Sequence, residues 1–214
     1  MNGFKDWDAD SSEQIHPRMN MLHHKAPMKE QLSTAIYRLK VQQNKLESAS
    51  MRMQQHDKDI FAKCVSAQMS HDSARAAMYA NECAEVRKIA KVMLQSQLAL
   101  EQVSIRLETI EEFGDVARMM GPVAGVVRTI KSQISGVMPE VGFELNQIGD
   151  LLNNFVAEAG EPLGGSSYDV TTSNEESQRI LVEAGTIAEQ HFKEKFPDLP
   201  NGSAQRLGES GIAH

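Results

Sequence analysis

Aromatic residues make up only 5 % of this 214-residue chain. Sheet cores draw on aromatic and β-branched side chains, so the shortage argues for long helices instead. No run of 18 apolar residues occurs, so no membrane-spanning helix is expected. The opening MNGFKDWDADSSEQ lacks the apolar stretch of a secretory leader. The two cysteines, Cys64 and Cys83, form no CxxC pair, a usage that suits a reduced, cytoplasmic compartment.

The signatures of catalysis are missing as well. There is no P-loop, GxGxxG, GxSxG or HExxH. The seven histidines are scattered, and the His23–His24 pair lies in a polar arm that reads as solvated loop. No enzyme activity, cofactor or metal site is expected. Basic residues are not interleaved with aromatics and the net charge is −7, so nucleic acid is not an expected partner.

Glycine and proline are also absent over long stretches, and there the sequence becomes informative. Nothing breaks a helix from Met28 to about Gln68, roughly 60 Å at 1.5 Å per residue. Pro27 sits where a helix favours a start. Ser70 and Asp72 are good capping residues, which places a tight turn near 68–71. A second helix then runs to about Met119. Each helix has a seven-residue apolar repeat: Leu32, Leu39, Leu46, Met53 and Ile60 in the first, Tyr79, Val86, Met93, Leu100 and Leu107 in the second. Two such helices joined by a tight turn lie antiparallel. The register sets position 64 opposite 76 and position 83 opposite 57, so Cys64 and Cys83 do not pair. Gln43, Ser50 and Asp57 occupy the other half of the first seam and make it weak.

Gly121, Pro122 and Gly125 in MMGPVAGVV mark one joint, and Pro139 marks another. Between and after them, two short amphipathic helices carry Val123, Val126, Val127, Ile130, Ile134 and Val137, then Val141, Leu145, Ile148, Leu152 and Phe155. Residues 160–174 read as a flexible linker. Asn174 is the expected cap of a fifth helix, with Ile180, Ala184, Ile187 and His191 on one face. The fold class is therefore all-α: a long antiparallel hairpin, short packed helices and a mobile C-terminal helix. The expected organisation is an arm over 1–27, a helical core over 28–159, the linker, a regulatory helix and FPDLP segment over 175–200, and a disordered tail over 201–214.

Charge is unevenly spread. Residues 25–139 hold 16 basic and 12 acidic groups, net +4, whereas residues 140–214 hold 4 and 13, net −9. A basic body with an acidic tail suggests an anionic surface as partner, or a tail that folds back. Arg38, Lys45 and Arg52 project from one face of the first helix, with Lys40 and Lys63 on flanking faces. Each such residue contributes only about 1 kcal/mol at an anionic membrane, so the stripe makes most sense in an ordered array. Phe4 and Trp7 form a candidate membrane wedge, opposed by Asp6, Asp8 and Asp10. In FPDLP, Pro197 and Pro200 hold an extended segment with Phe196 and Leu199 as anchors for a groove. A coiled-coil adaptor or helical chaperone that ignores membrane fits the same heptads.

The order of these parts resembles the ESCRT-III family, specifically its archaeal cell-division branch, the CdvB paralogues. The resemblance covers about residues 28–200. It rests on AIYRLKVQQNKLE in the first helix, LALEQVSIRLETI in the second, and the helices after GPVAG and MPEV. It implies a membrane-remodelling protein that polymerises with itself and its paralogues on the inner face of the membrane, at the division site. It also implies a closed state, in which the acidic tail folds onto the hairpin, and an open, assembled one. KFPDLP is similar to the proline-rich motif captured by the MIT domain of the family's AAA+ ATPase, CdvC. The helical kind of MIT motif is not matched by EESQRILVEAG, and no winged-helix domain is expected.

Overall fold

The computed structural model describes residues 28–113, 116–160 and 170–196. Five helices follow in order: α1 Met28–Met69, α2 Ser73–Phe113, α3 Val116–Ile134, α4 Pro139–Gly160 and α5 Val170–Lys195. No strand occurs among the described residues.

α1 and α2 form the antiparallel hairpin, and the turn between them is a double cap. The Asp72 N–H donates to the Ala67 carbonyl at 2.9 Å and the His71 N–H to the Gln68 carbonyl at 3.0 Å. This is the Schellman pattern that closes a helix C-terminus. It requires a left-handed residue, and His71 takes that place with φ 58°. Asp72 then caps α2, its Oδ1 accepting from the Arg75 N–H at 3.0 Å. Expected and observed turns coincide. α2 is described to Phe113 and α3 from Val116, so the expected end near Met119 falls within α3 instead.

Leu32, Leu39, Leu46, Ile60, Val86, Met93, Leu100 and Leu107 are buried between the helices, and Met53 and Tyr79 pack at the edges. Cys64 Sγ lies 3.4 Å from the Ala76 carbonyl oxygen and Cys83 Sγ 4.0 Å from that of Asp57. The register inferred from turn counting thus holds, and both cysteines are free and buried.

The joint expected at Gly121–Pro122–Gly125 is not one. α3 passes through all three residues unbroken. An interior proline costs about 3 kcal/mol in a helix. Here Met120, Val123, Ala124, Val126 and Val127, on both sides of Pro122, are all buried in the core, and that burial outweighs the local penalty. The joint at Pro139 is real. A turn spans 135–137, and Pro139 opens α4 at the position where a missing N–H is harmless. α4 packs back along α3 because Gly142 has no side chain. A Cβ there would lie 2.4 Å from Ser135 Oγ and 3.0 Å from Ser135 Cα.

α3 and α4 bury Ile130, Ile134, Val141, Leu145, Ile148, Leu152 and Phe155 in one core with the open half of the hairpin. α5 lies across α2 and α3, and α4 touches α1. α5 begins at Val170, four residues before the Asn174 cap anticipated from the sequence. Its buried face is Ser177, Ile180, Ala184 and Ala188, with His191 exposed rather than on that face. The arm over 1–27, the linker residues 161–169 and the tail over 201–214 lie outside the described residues.

Candidate functional site

The basic stripe of α1 is real as a row of positions but is not uniformly open. Arg38 is drawn to α4: its Nη2 lies 2.9 Å from Glu144 Oε2 and 2.7 Å from Gln147 Oε1. Lys40 pairs with Glu108 of α2 at 2.5 Å. Lys45 and Arg52 are exposed and enter no ion pair among the described residues. They border a groove of about 410 Å³ with Val41, Asn44, Ser48, Met138 and Glu140. Lys63 is exposed and sits by the hairpin turn beside Arg75 and Asp72, well along α1 from the other four. Sequence spacing therefore brings together Lys45 and Arg52, while tertiary contacts engage Arg38 and Lys40.

The weak seam is also corrected. Ser50 and Asp57 are buried and Gln43 is half-buried. Asp57 is not a gap awaiting a neighbour. Arg87 of α2 grips it with two hydrogen bonds, Nε to Oδ1 at 2.7 Å and Nη2 to Oδ2 at 3.0 Å. The two side chains keep only 2 % and 11 % of their surface, which makes this a buried bidentate pair. Next to it, burial pushes the Cys83 thiol up to about 11, with the Asp57 carboxylate adding to the rise and Arg87 opposing it. That thiol stays protonated and inert at neutral pH.

The C-terminal end closes over the same place. Arg87 lies 5.8 Å from the ring centroids of both Phe61 and Phe196. Phe196 stacks on Phe192 at 4.4 Å and is buried to 6 % exposure. The first anchor of FPDLP is thus packed against the hairpin rather than presented to solvent. Pro197, Leu199 and Pro200 lie outside the described residues. The Gln54 amide donates to the Lys195 carbonyl at 3.4 Å. Further along α5, Lys91 pairs with Glu189 and Arg106 with Glu176. The Lys91 hydrogen bond holds Glu189 below the usual carboxylate range.

Gly121, Pro122 and Gly125, read as a hinge, instead lie on the helix that receives α5. Ser177 Oγ donates to the Pro122 carbonyl at 2.8 Å. A Cβ on Gly125 would come 2.6 Å from that hydroxyl, so only glycine admits this approach. Two roles escaped sequence reasoning: Arg87, which follows the heptad residue Val86, and Ser177, which precedes the apolar face of α5. The i, i+3, i+7 spacing of Ser177, Ile180 and Ala184 was the available signal.

Among the described residues no group of three or more His, Cys, Asp or Glu is placed to hold a metal ion. No described helix is long and apolar enough to cross a membrane.

A long hairpin, two short helices packed on its open half and a C-terminal helix docked across it define an all-α protein of ESCRT-III-like architecture. The chain is 49 % identical over 176 residues to cell division protein B1 of Sulfolobus acidocaldarius, a match covering 82 % of each chain. It is 34 % identical over 164 residues to cell division protein B of the same organism, covering 77 % of this chain and 62 % of that protein. The chain belongs to the CdvB family of ESCRT-III-type proteins. No protein-family model matches it. No solved structure matches it either.

Proposed function

We propose that the chain is a non-enzymatic filament subunit that remodels membrane in cell division. Family membership supports the division role. The basic face of α1 is the surface for anionic membrane, on the inner, cytoplasmic side. Lys45, Arg52 and Lys63 are its open members, and Arg38 and Lys40 join as contacts rearrange. Other copies of the chain and its paralogues are the polymer partners. The AAA+ ATPase of the family, through its MIT domain, takes the FPDLP segment.

The observation that carries this reading is the docked C-terminal end. Phe196 packs against Arg87 and Phe192, so an ATPase that uses Phe196 as an anchor competes with the hairpin for one side chain. The rest of the α5 contact is one narrow face, the Ser177 and Gln54 hydrogen bonds, and two ion pairs with partly exposed members. Surface pairs of that kind contribute about 0–1 kcal/mol each. A helix held so lightly is suited to release, and its release is the step from a closed subunit to an assembling one.

The test is negative-stain microscopy with anionic liposomes. The intact chain is compared with Ala188→Glu, which places a charge in the α5 contact. The reading expects filaments or coated vesicles, more abundant for the variant. Fixed small oligomers that ignore lipid in both samples would favour the adaptor or chaperone alternative.

A further inference from the structure

α1 keeps one strip of its middle turned to solvent. Tyr37, Asn44, Ser48 and Met51 are exposed and Val41 is half-buried, and their spacings of three and four set them on one face. Beside this strip Lys45 and Arg52 border the groove of about 410 Å³, with Val41 and Met138 as its apolar lining and Glu140 as its one carboxylate. Both cations are exposed. Two cations against one carboxylate, next to apolar side chains, suit an acidic peptide that carries a large apolar residue.

The chain holds one such segment close by in sequence. FKDWDAD, residues 4–10, sets Asp6, Asp8 and Asp10 around Trp7. It belongs to the arm before α1, outside the described residues. Residues 11–26, which join it to Pro27, reach at most ~55 Å when extended. Lys45 and Arg52 lie only ~26 and ~36 Å along α1 from Met28, well within that reach. In an extended segment alternate residues point the same way, so Asp6 and Asp10 stand ~13 Å apart on one side with Trp7 on the other. Lys45 and Arg52, two turns apart on the helix, are separated by ~10 Å. The tail beyond Phe196 matches this groove less well, because it has no aromatic residue and only Asp198 and Glu209 as acidic side chains.

We infer that the N-terminal arm folds back along α1 and seats FKDWDAD in this groove, with Asp6, Asp8 and Asp10 against Lys45 and Arg52 and with Trp7 against Val41 and Met138. The occupant is the chain's own arm. A tethered segment meets its site at an effective concentration on the order of mM, which a second copy at micromolar concentration does not match. The dock does not depend on the membrane reading of α1, but it bears on it. Carboxylates and lipid phosphates take the same cations through the same charge-assisted bonds, so anionic lipid must displace the arm to reach Lys45 and Arg52.

Trp7 is the single tryptophan of the chain, so its fluorescence reports the arm alone, on the full protein and without lipid. The expected result is blue-shifted emission and shielding from acrylamide, both independent of protein concentration. Lys45→Glu/Arg52→Glu is expected to lose both signals. Lys58→Glu/Lys88→Glu, an equal charge change at exposed positions outside the groove, is expected to keep them. Adding Asp6→Lys/Asp10→Lys to Lys45→Glu/Arg52→Glu is expected to restore them by exchanging the signs. A wild-type Trp7 as accessible as in Lys45→Glu/Arg52→Glu overturns the dock, as does shielding that survives this variant. Shielding that appears only as protein concentration rises puts the arm on another copy and overturns it equally. Because no lipid is present, failure of the dock leaves the membrane reading standing.

Discussion

Arg87 holds both carboxylate oxygens of Asp57 across the hairpin and at the same time lies near the ring of Phe196 from the far end of the chain. One guanidinium thereby links the inner seam of the hairpin to the docked C-terminus. Its charge is neutralised inside the hairpin, and its flat faces remain available to aromatic rings.

The pair is expected to be costly to break and cheap to replace. Asp57→Ala leaves a buried cation without its partner and should destabilise the hairpin by about 3–5 kcal/mol. Asp57→Leu combined with Arg87→Met removes both charges and should lose much less. Urea unfolding followed by circular dichroism measures both. Equal losses for the single and double variants would show that the ion pair is not what the seam depends on.

Phe196→Ala removes the stacking on Phe192 and the contact with Arg87. Truncating a buried phenylalanine typically costs about 3–5 kcal/mol, and here the loss should appear as undocking of α5 rather than global unfolding. Amide hydrogen exchange is therefore expected to quicken along 174–196 and to remain slow in α1 and α2. Uniform acceleration over the whole chain would contradict a separately docked helix.

Gly125→Leu acts on the other end of the same dock. Its side chain meets Ser177 and displaces the hydroxyl from the Pro122 carbonyl. Limited proteolysis should then cut within α5 sooner than in the wild type while the hairpin persists. An unchanged cleavage pattern would mean that α5 does not depend on this approach.

Cys83 gives a pH-dependent readout. Its folded thiol, at about 11, lies above the ordinary value of 9.0, so the folded state keeps a proton that the unfolded chain gives up. This contribution to stability is complete below pH 9 and is lost as pH rises toward 11. Alkylation of Cys83 in the native protein should stay slow at pH 8 and become fast only on unfolding. Rapid stoichiometric labelling at pH 8 would contradict its burial.

Much of the hairpin was legible because its signals are local. Leu32, Leu39 and Leu46 repeat at seven residues, Asp72 is a capping residue, and counting back from the turn placed Cys64 by Ala76. The misreadings share another cause. Pro122 was read from its helix propensity, which burial of Val123 and Val126 overrides. Asp57 was read as a weak point because its partner, Arg87, lies 30 residues away and adjoins the heptad rather than belonging to it. Arg38 was read from α1 alone, yet its surroundings are set by Glu144, 106 residues further on. Sequence periodicity finds the face a helix presents. It does not find which charged residue of another helix arrives there.

The most direct test of the central claim is co-sedimentation with anionic vesicles at low and high salt, comparing the wild type with Arg38→Glu/Lys45→Glu/Arg52→Glu. Screening shortens the reach of charge to about 3 Å at 1 M salt. The account predicts wild-type binding that falls with salt and a triple variant that stays in the supernatant. Salt-independent binding, or a triple variant that sediments like the wild type, would contradict the assignment of the α1 basic face to membrane.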